Sequence, residues 1–180
     1  MATIVAQRRL TLLAVLGLAY WLFGNLYESI VLSPNWIVDS AMQLERLNAF
    51  FVNTSPTIYF VPLTQAATVL VWILWWRNRI DEVRRDYRRA GVLGILATGV
   101  NAVIVATVVP TLFGEERLSH VDSLTAYGWA WNILNVVRMV LVGATLAYAF
   151  RAFRTLDVSS RAPRPPVSAE PVPPTHPAPR

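Results

Sequence analysis

The sequence predicts an all-α membrane protein built as an up-down-up-down four-helix transmembrane bundle. Three observations lead there. The 180 residues are 54% hydrophobic and only 15% charged, with a mean hydropathy of +0.42, too apolar for an ordinary water-soluble domain. Four apolar runs, about residues 10–32, 58–76, 90–113 and 126–150, are each long enough as helices to cross a hydrocarbon core of ~30 Å. The arginines gather at alternate ends of those runs.

The first span opens behind Arg8 and Arg9 and is interrupted late by Asn25 and Glu28. A cleaved signal peptide is the competing reading. The apolar run is too long for one, and no small-x-small cleavage site follows it. Residues 33–57 are more polar, with Pro34 and Pro56 near their ends. Within them Ile37, Ala41, Leu44, Leu47 and Phe51 recur at helical spacing, with Asp39, Gln43 and Arg46 on the opposite face. That pattern predicts a short outer amphipathic helix lying over the bundle between spans 1 and 2. An ordinary ordered loop fits the same residues.

The second span carries Pro62 early and Thr64, Gln65 and Thr68 further in, and closes on Trp72, Trp75 and Trp76, where indoles settle at a lipid boundary. Residues 77–89 hold six arginines and read as a connector. The third span has Asn101 near its middle and Pro110 near its end. The fourth follows a loop containing His120 and runs to Arg151 and Arg154. Arginine is dense before span 1, in the 77–89 connector and after span 4, but the 33–57 and 114–125 segments have one each, Arg46 and Arg117. The positive-inside rule therefore puts both termini in the cytoplasm. From Thr155 onward eight of the twelve prolines cluster between Pro163 and Pro179. Residues 155–180 are thus predicted to be a disordered proline-rich cytoplasmic tail, either plainly solvated or docking a partner in polyproline conformation.

Composition also excludes. With no cysteine there are no disulfides, thiolate nucleophiles or cysteine-ligated clusters. His120 and His176 both lie outside the spans, so no histidine pair holds a haem in the bundle. Di-iron bundles need several glutamates and Glu-x-x-His motifs, whereas Glu28 is the one carboxylate well inside a span. No metal and no cofactor is predicted. All 16 basic residues are arginine, which with abundant Ala, Val and Leu suggests a GC-rich bacterial genome and an inner-membrane location. The net charge of +5 reads as topology, not nucleic-acid binding, because the arginines flank apolar runs.

The polar centre of the sequence is Trp131-Asn132-Ile133-Leu134-Asn135-Val136-Val137-Arg138. A guanidinium near the middle of a lipid-spanning helix costs at least several kcal/mol unless it faces protein or water. Trp131, Asn135 and Arg138 share one face of the fourth helix; Trp21, Asn25 and Glu28 share one face of the first. Placing each span centre at the bilayer midplane, with ~1.5 Å per residue, puts Gln65, Asn101 and Arg138 within about 3 Å of one level. Asn25 and Asn135 then sit together about 6 Å further out, and Glu28 and Asn132 about 10 Å further out. Glu28 is the predicted ionic partner of Arg138. Two readings of that buried Arg–Glu pair stand. It staples two helices together, or it lines a small outward-facing pocket with Asn25, Asn132, Asn135, Gln65, Asn101, Trp21 and Trp131 around it.

Trp131, Asn135 and Arg138 together resemble the pattern in the last helix of the anthrone oxygenase-like family, small four-span membrane proteins. Leu32-Ser33-Pro34, a proline following the first span, is similar to that family too. The resemblance in topology covers about residues 8–152, and the motif is three residues long. That family often carries histidine where Asn135 stands. The resemblance implies oxidation of an aromatic substrate without a metal or flavin held by recognised motifs. Three functions follow as expectations: a pocket for a small lipophilic ligand, an oxygenase-type enzyme with Arg138 stabilising a substrate oxyanion, and a structural subunit whose tail recruits a partner. The bilayer is the common partner of all three.

Overall fold

A computed structural model describes residues 4–53 and 56–161. Every regular element among them is helical, and four continuous helices are long and apolar enough to cross a membrane: Ile4–Ile37, Ile58–Arg77, Asp81–Phe113 and Ser119–Arg161. In chain order the elements are α1 (Ile4–Tyr27), a π-helical turn (Glu28–Leu32), α2 (Ser33–Ile37), α3 (Ser40–Phe50), which lies between the first two spans, α4 (Pro56–Arg77) and α5 (Asp81–Val103). A second π-helical turn (Ile104–Val108), α6 (Val109–Phe113), a 3-10 segment (Glu115–Ser123) and α7 (Leu124–Arg161) complete the chain.

The helices overrun the apolar runs that announce them, because flanking polar residues extend a helix as readily as apolar ones. The arginine-rich stretch expected as a connector is helical from Asp81, with Asp81 and Glu82 in the first turn, where carboxylates favour the helix dipole. Only residues 78–80 turn the chain. Asn78 holds that turn by accepting the Ile80 N–H at 2.8 Å and donating to the Gln7 side chain at 3.2 Å. At the other end of the chain, α7 continues through residues 155–161, which the sequence assigned to the tail. Leu156 is fully buried there, and Asp157 pairs with Arg8 at 3.0 Å and Arg161 at 2.8 Å. The proline-rich segment from residue 162 lies outside the described residues.

Neighbouring helices run antiparallel around a closed ring. α1 packs on α4 and α7, and α5 packs on the same two. Gly17 meets Ala67, and Gly24 meets Phe60, across α1 and α4. A methyl group built on Gly17 would stand 2.7 Å from the Ala67 Cβ, so glycine sets how closely these helices approach.

Both π-helical turns precede a proline. Proline lacks an N–H and its ring clashes with the carbonyl four residues back, so the turn before it widens. Ser33 N–H bonds the Glu28 carbonyl ahead of Pro34, and Val109 N–H bonds the Ile104 carbonyl ahead of Pro110. The same device therefore bends the first and third helices at the same end of the bundle.

That end is covered by α3. Asp39 turns the chain between α2 and α3 in left-handed conformation (φ 48°), which a short polar side chain tolerates. The helical repeat read from the sequence is real, but its apolar side is buried in protein. Leu44 is fully buried, with Ala41 and Leu47 beside it, against Trp36, Ile104, Leu112 and Trp131. Ser40 and Thr125 bond at 3.0 Å and tie α3 to the start of α7.

Candidate functional site

Arg138 occupies the middle of the bundle and is 5% exposed. Its guanidinium donates to three asparagines on three helices. Nε reaches the Asn135 Oδ1 at 3.1 Å; Nη2 bonds the same oxygen and Asn25 Oδ1; Nη1 bonds Asn101 Oδ1. Because arginine only donates, each amide must present its oxygen, which leaves the nitrogens of Asn25 and Asn135 to bond elsewhere. Asn25 Nδ2 donates to the Trp21 carbonyl at 2.8 Å. Asn135 Nδ2 donates to the Asn25 carbonyl at 3.2 Å and to Ser29 Oγ. All four guanidinium hydrogen bonds thus go to neutral oxygens, and among the described residues one Nη1 hydrogen is left over.

The expected ion pair with Glu28 is not closed. No carboxylate lies within 4.0 Å of Arg138 among the described residues, and no hydrogen bond reaches the Glu28 side chain there. The reason is geometric. Asn25 and Asn135 take the positions nearest the guanidinium and accept three of its hydrogen bonds. Glu28 faces the same cavity as Arg138 instead.

That cavity measures about 420 Å³. Trp21, Asn25, Glu28, Asn101, Trp131 and Arg138 line it, as do Thr64 and Phe60 from α4. Its far wall is α2–α3 and the bent part of the third helix: Trp36, Leu47, Asn48, Phe51, Ile104 and Phe113. Trp36 packs edge-on against Trp131 (5.1 Å, 89°) and Phe113 (5.5 Å, 87°), forming an aromatic corner. Two buried donors on the wall, Trp36 Nε1 and Asn48 Nδ2, have no hydrogen-bond partner among the described residues.

Three of the candidate residues read from the sequence sit elsewhere. Asn135 lies behind the cavity, where it positions Arg138. Asn132 accepts from Ser33 Oγ at 2.7 Å and donates to the Gly128 carbonyl at 3.1 Å, so it pins α2 to α7 and does not meet Glu28. Gln65 accepts from Thr98 at 3.2 Å between α4 and α5, away from Arg138. Sequence reasoning missed Trp36, Asn48, Phe51, Phe60 and Phe113. Only Trp36, beside the proline that bends the first helix, carried a local signal. Among the described residues no cluster of three or more histidine, aspartate or glutamate side chains is arranged to hold a metal ion.

The chemistry on this wall is spare hydrogen-bond donation, one carboxylate and aromatic surface, in a space sized for a small molecule. No protein-family model, no curated protein and no solved structure matches this chain.

Proposed function

We propose that the chain is a multi-pass inner-membrane protein that binds a small lipophilic ligand in the cavity beside Arg138. The observation that carries this reading is that Arg138 and Glu28 line one cavity of about 420 Å³ without forming a salt bridge across it. A pair kept only to staple helices would close. Separated charges on one apolar wall leave polar positions for a ligand to fill. The cavity lies at the end covered by α3, away from the 77–89 arginines, so positive-inside orientation makes it the outer end, with both termini cytoplasmic.

Purification in mild detergent, lipid extraction and mass spectrometry test this directly. A bound molecule is expected in stoichiometric amount from wild type and is expected to be lost from Arg138→Met. Absence of any bound molecule in wild type, with wild-type folding of Arg138→Met, would count against the reading. Orientation is testable because the chain has no cysteine. A membrane-impermeant maleimide should label Met42→Cys on α3 in intact cells. Labelling only after lysis contradicts the orientation.

A second reading, an anthrone oxygenase-like oxidoreductase, draws on the spare Arg138 Nη1 hydrogen, a donor able to stabilise a substrate oxyanion. Oxygen uptake on anthrone that Arg138→Met abolishes supports it. Uptake unchanged by both Arg138→Met and Glu28→Gln dismisses it.

A further inference from the structure

We propose that the cavity is loaded sideways from the bilayer, through a gap between the start of α4 and the π-helical turn of the third helix, and that its ligand is a single-chain amphiphile with a hydrogen-bond-accepting head. This rests on the ligand-pocket reading above. α4 packs against α1 and the Asp81–Val103 part of the third helix. Beyond Val103 the third helix widens and bends towards Pro110. The cavity wall there includes Ile58 and Val61 from α4 and Val105 and Val109 from the third helix.

Two of those four are part of the outer surface as well as the wall: Ile58 is 68% exposed and Val105 40%. The mouth is therefore at these residues. Its rim continues into Phe50 and Val52, 79% and 77% exposed, flanking the cavity-lining Phe51. Phe50, Val52, Ile58 and Val105 give this rim an exposed apolar surface that suits contact with acyl chains. The water-facing route is blocked by α2 and α3, whose Trp36 and Leu44 are 4% and 0% exposed and which are tied to α7 through Ser40 and Thr125. A ligand entering by the gap meets Arg138 with its head, while its tail occupies the mouth. The donors left over on the wall call for an acceptor head, and the apolar mouth calls for a slender apolar tail.

The test uses the full chain in phosphatidylcholine vesicles, with cis-parinaric acid and its methyl ester as probes and tryptophan-to-polyene energy transfer as the readout. Ile58→Cys and Val105→Cys, alkylated with benzylmaleimide, narrow the mouth; each unalkylated variant is its own folding control. A Ser40→Cys/Thr125→Cys disulfide locks the α3 cover without touching the mouth. Saturable transfer is expected with at least one probe. Alkylation at the mouth should slow loading at least tenfold, and locking the cover should change it less than twofold. Saturable binding whose rate falls on locking the cover, but not on alkylation, overturns lateral entry and leaves the pocket standing. No saturable transfer with either probe overturns both.

Discussion

The two ends of this bundle solve the problem of polar groups between helices in opposite ways. At the end formed by the start of α1, α4–α5 and the last turns of α7, polar groups close pairwise inside a dense core. Tyr87, fully buried, bonds Thr11; Trp72 Nε1 donates to the Gly91 carbonyl at 3.2 Å. Asp86, 3% exposed, has Arg151 at 3.6 Å and Arg89 at 3.9 Å. Around them Ala14, Leu18, Val71, Ala90, Val142 and Ala149 are fully buried. At the α3 end two π-helical turns, each followed by a proline, spread the helices, a cavity opens, and donors on its wall lack partners among the described residues. What separates a packed half from a hollow half is thus the placing of two prolines and the turns they widen, more than polarity itself.

Breaking the polar cluster at the hollow end should have the largest effect. Asn135→Leu removes an oxygen that accepts twice from Arg138 and the amide that holds Asn25 and Ser29. A loss of about 3 kcal/mol is expected from leaving buried charged donors unpaired, measured by reversible unfolding in bicelles. At the packed end, Gly17→Ala drives a methyl group into Ala67. Overpacking of that kind should cost about 2 kcal/mol and part α1 from α4, read as faster amide exchange along both. Tyr87→Phe deletes one buried bond at the same end and should lower stability by about 1 kcal/mol; an unchanged melting temperature would show that the pairing there is not what seals it. The smallest effect belongs to Arg8→Gln, which removes a half-exposed pair with Asp157. A change of about 0.5 kcal/mol or less, shrinking with added salt, is expected.

The packed half and the four helices were legible because apolar length and arginine placement are properties of single segments. The cluster was legible in part. Helical spacing put Trp131, Asn135 and Arg138 on one face, and comparison of depths put Asn25 level with Asn135 and Asn101 level with Arg138. The same depth argument misplaced Gln65 and Asn132, because it fixed levels without fixing rotation about each helix axis. Rotation is decided by close approaches such as Gly24 on Phe60 and Trp72 on Gly91, which depend on pairs of segments. The missing Arg138–Glu28 contact has a similar origin: spacing put Asn25 and Glu28 on one face without saying that the amides of Asn25 and Asn135 take the guanidinium first. The cavity's aromatic lining was out of reach for a further reason: Trp36, Phe51 and Phe113 lie at or beyond the ends of the apolar runs, where segment spacing carries no depth signal.

The central claim is that three neutral asparagine oxygens hold the buried guanidinium and leave Glu28 available to a ligand. The most direct measurement compares the unfolding free energies of Glu28→Gln and Asn101→Leu in the same bicelles, without added ligand. The account predicts a cost of about 1 kcal/mol or more for Asn101→Leu, whose oxygen accepts from Nη1, and less than about half of that for Glu28→Gln. A Glu28→Gln protein destabilised as much as Asn101→Leu would mean that the carboxylate, not the amides, secures Arg138.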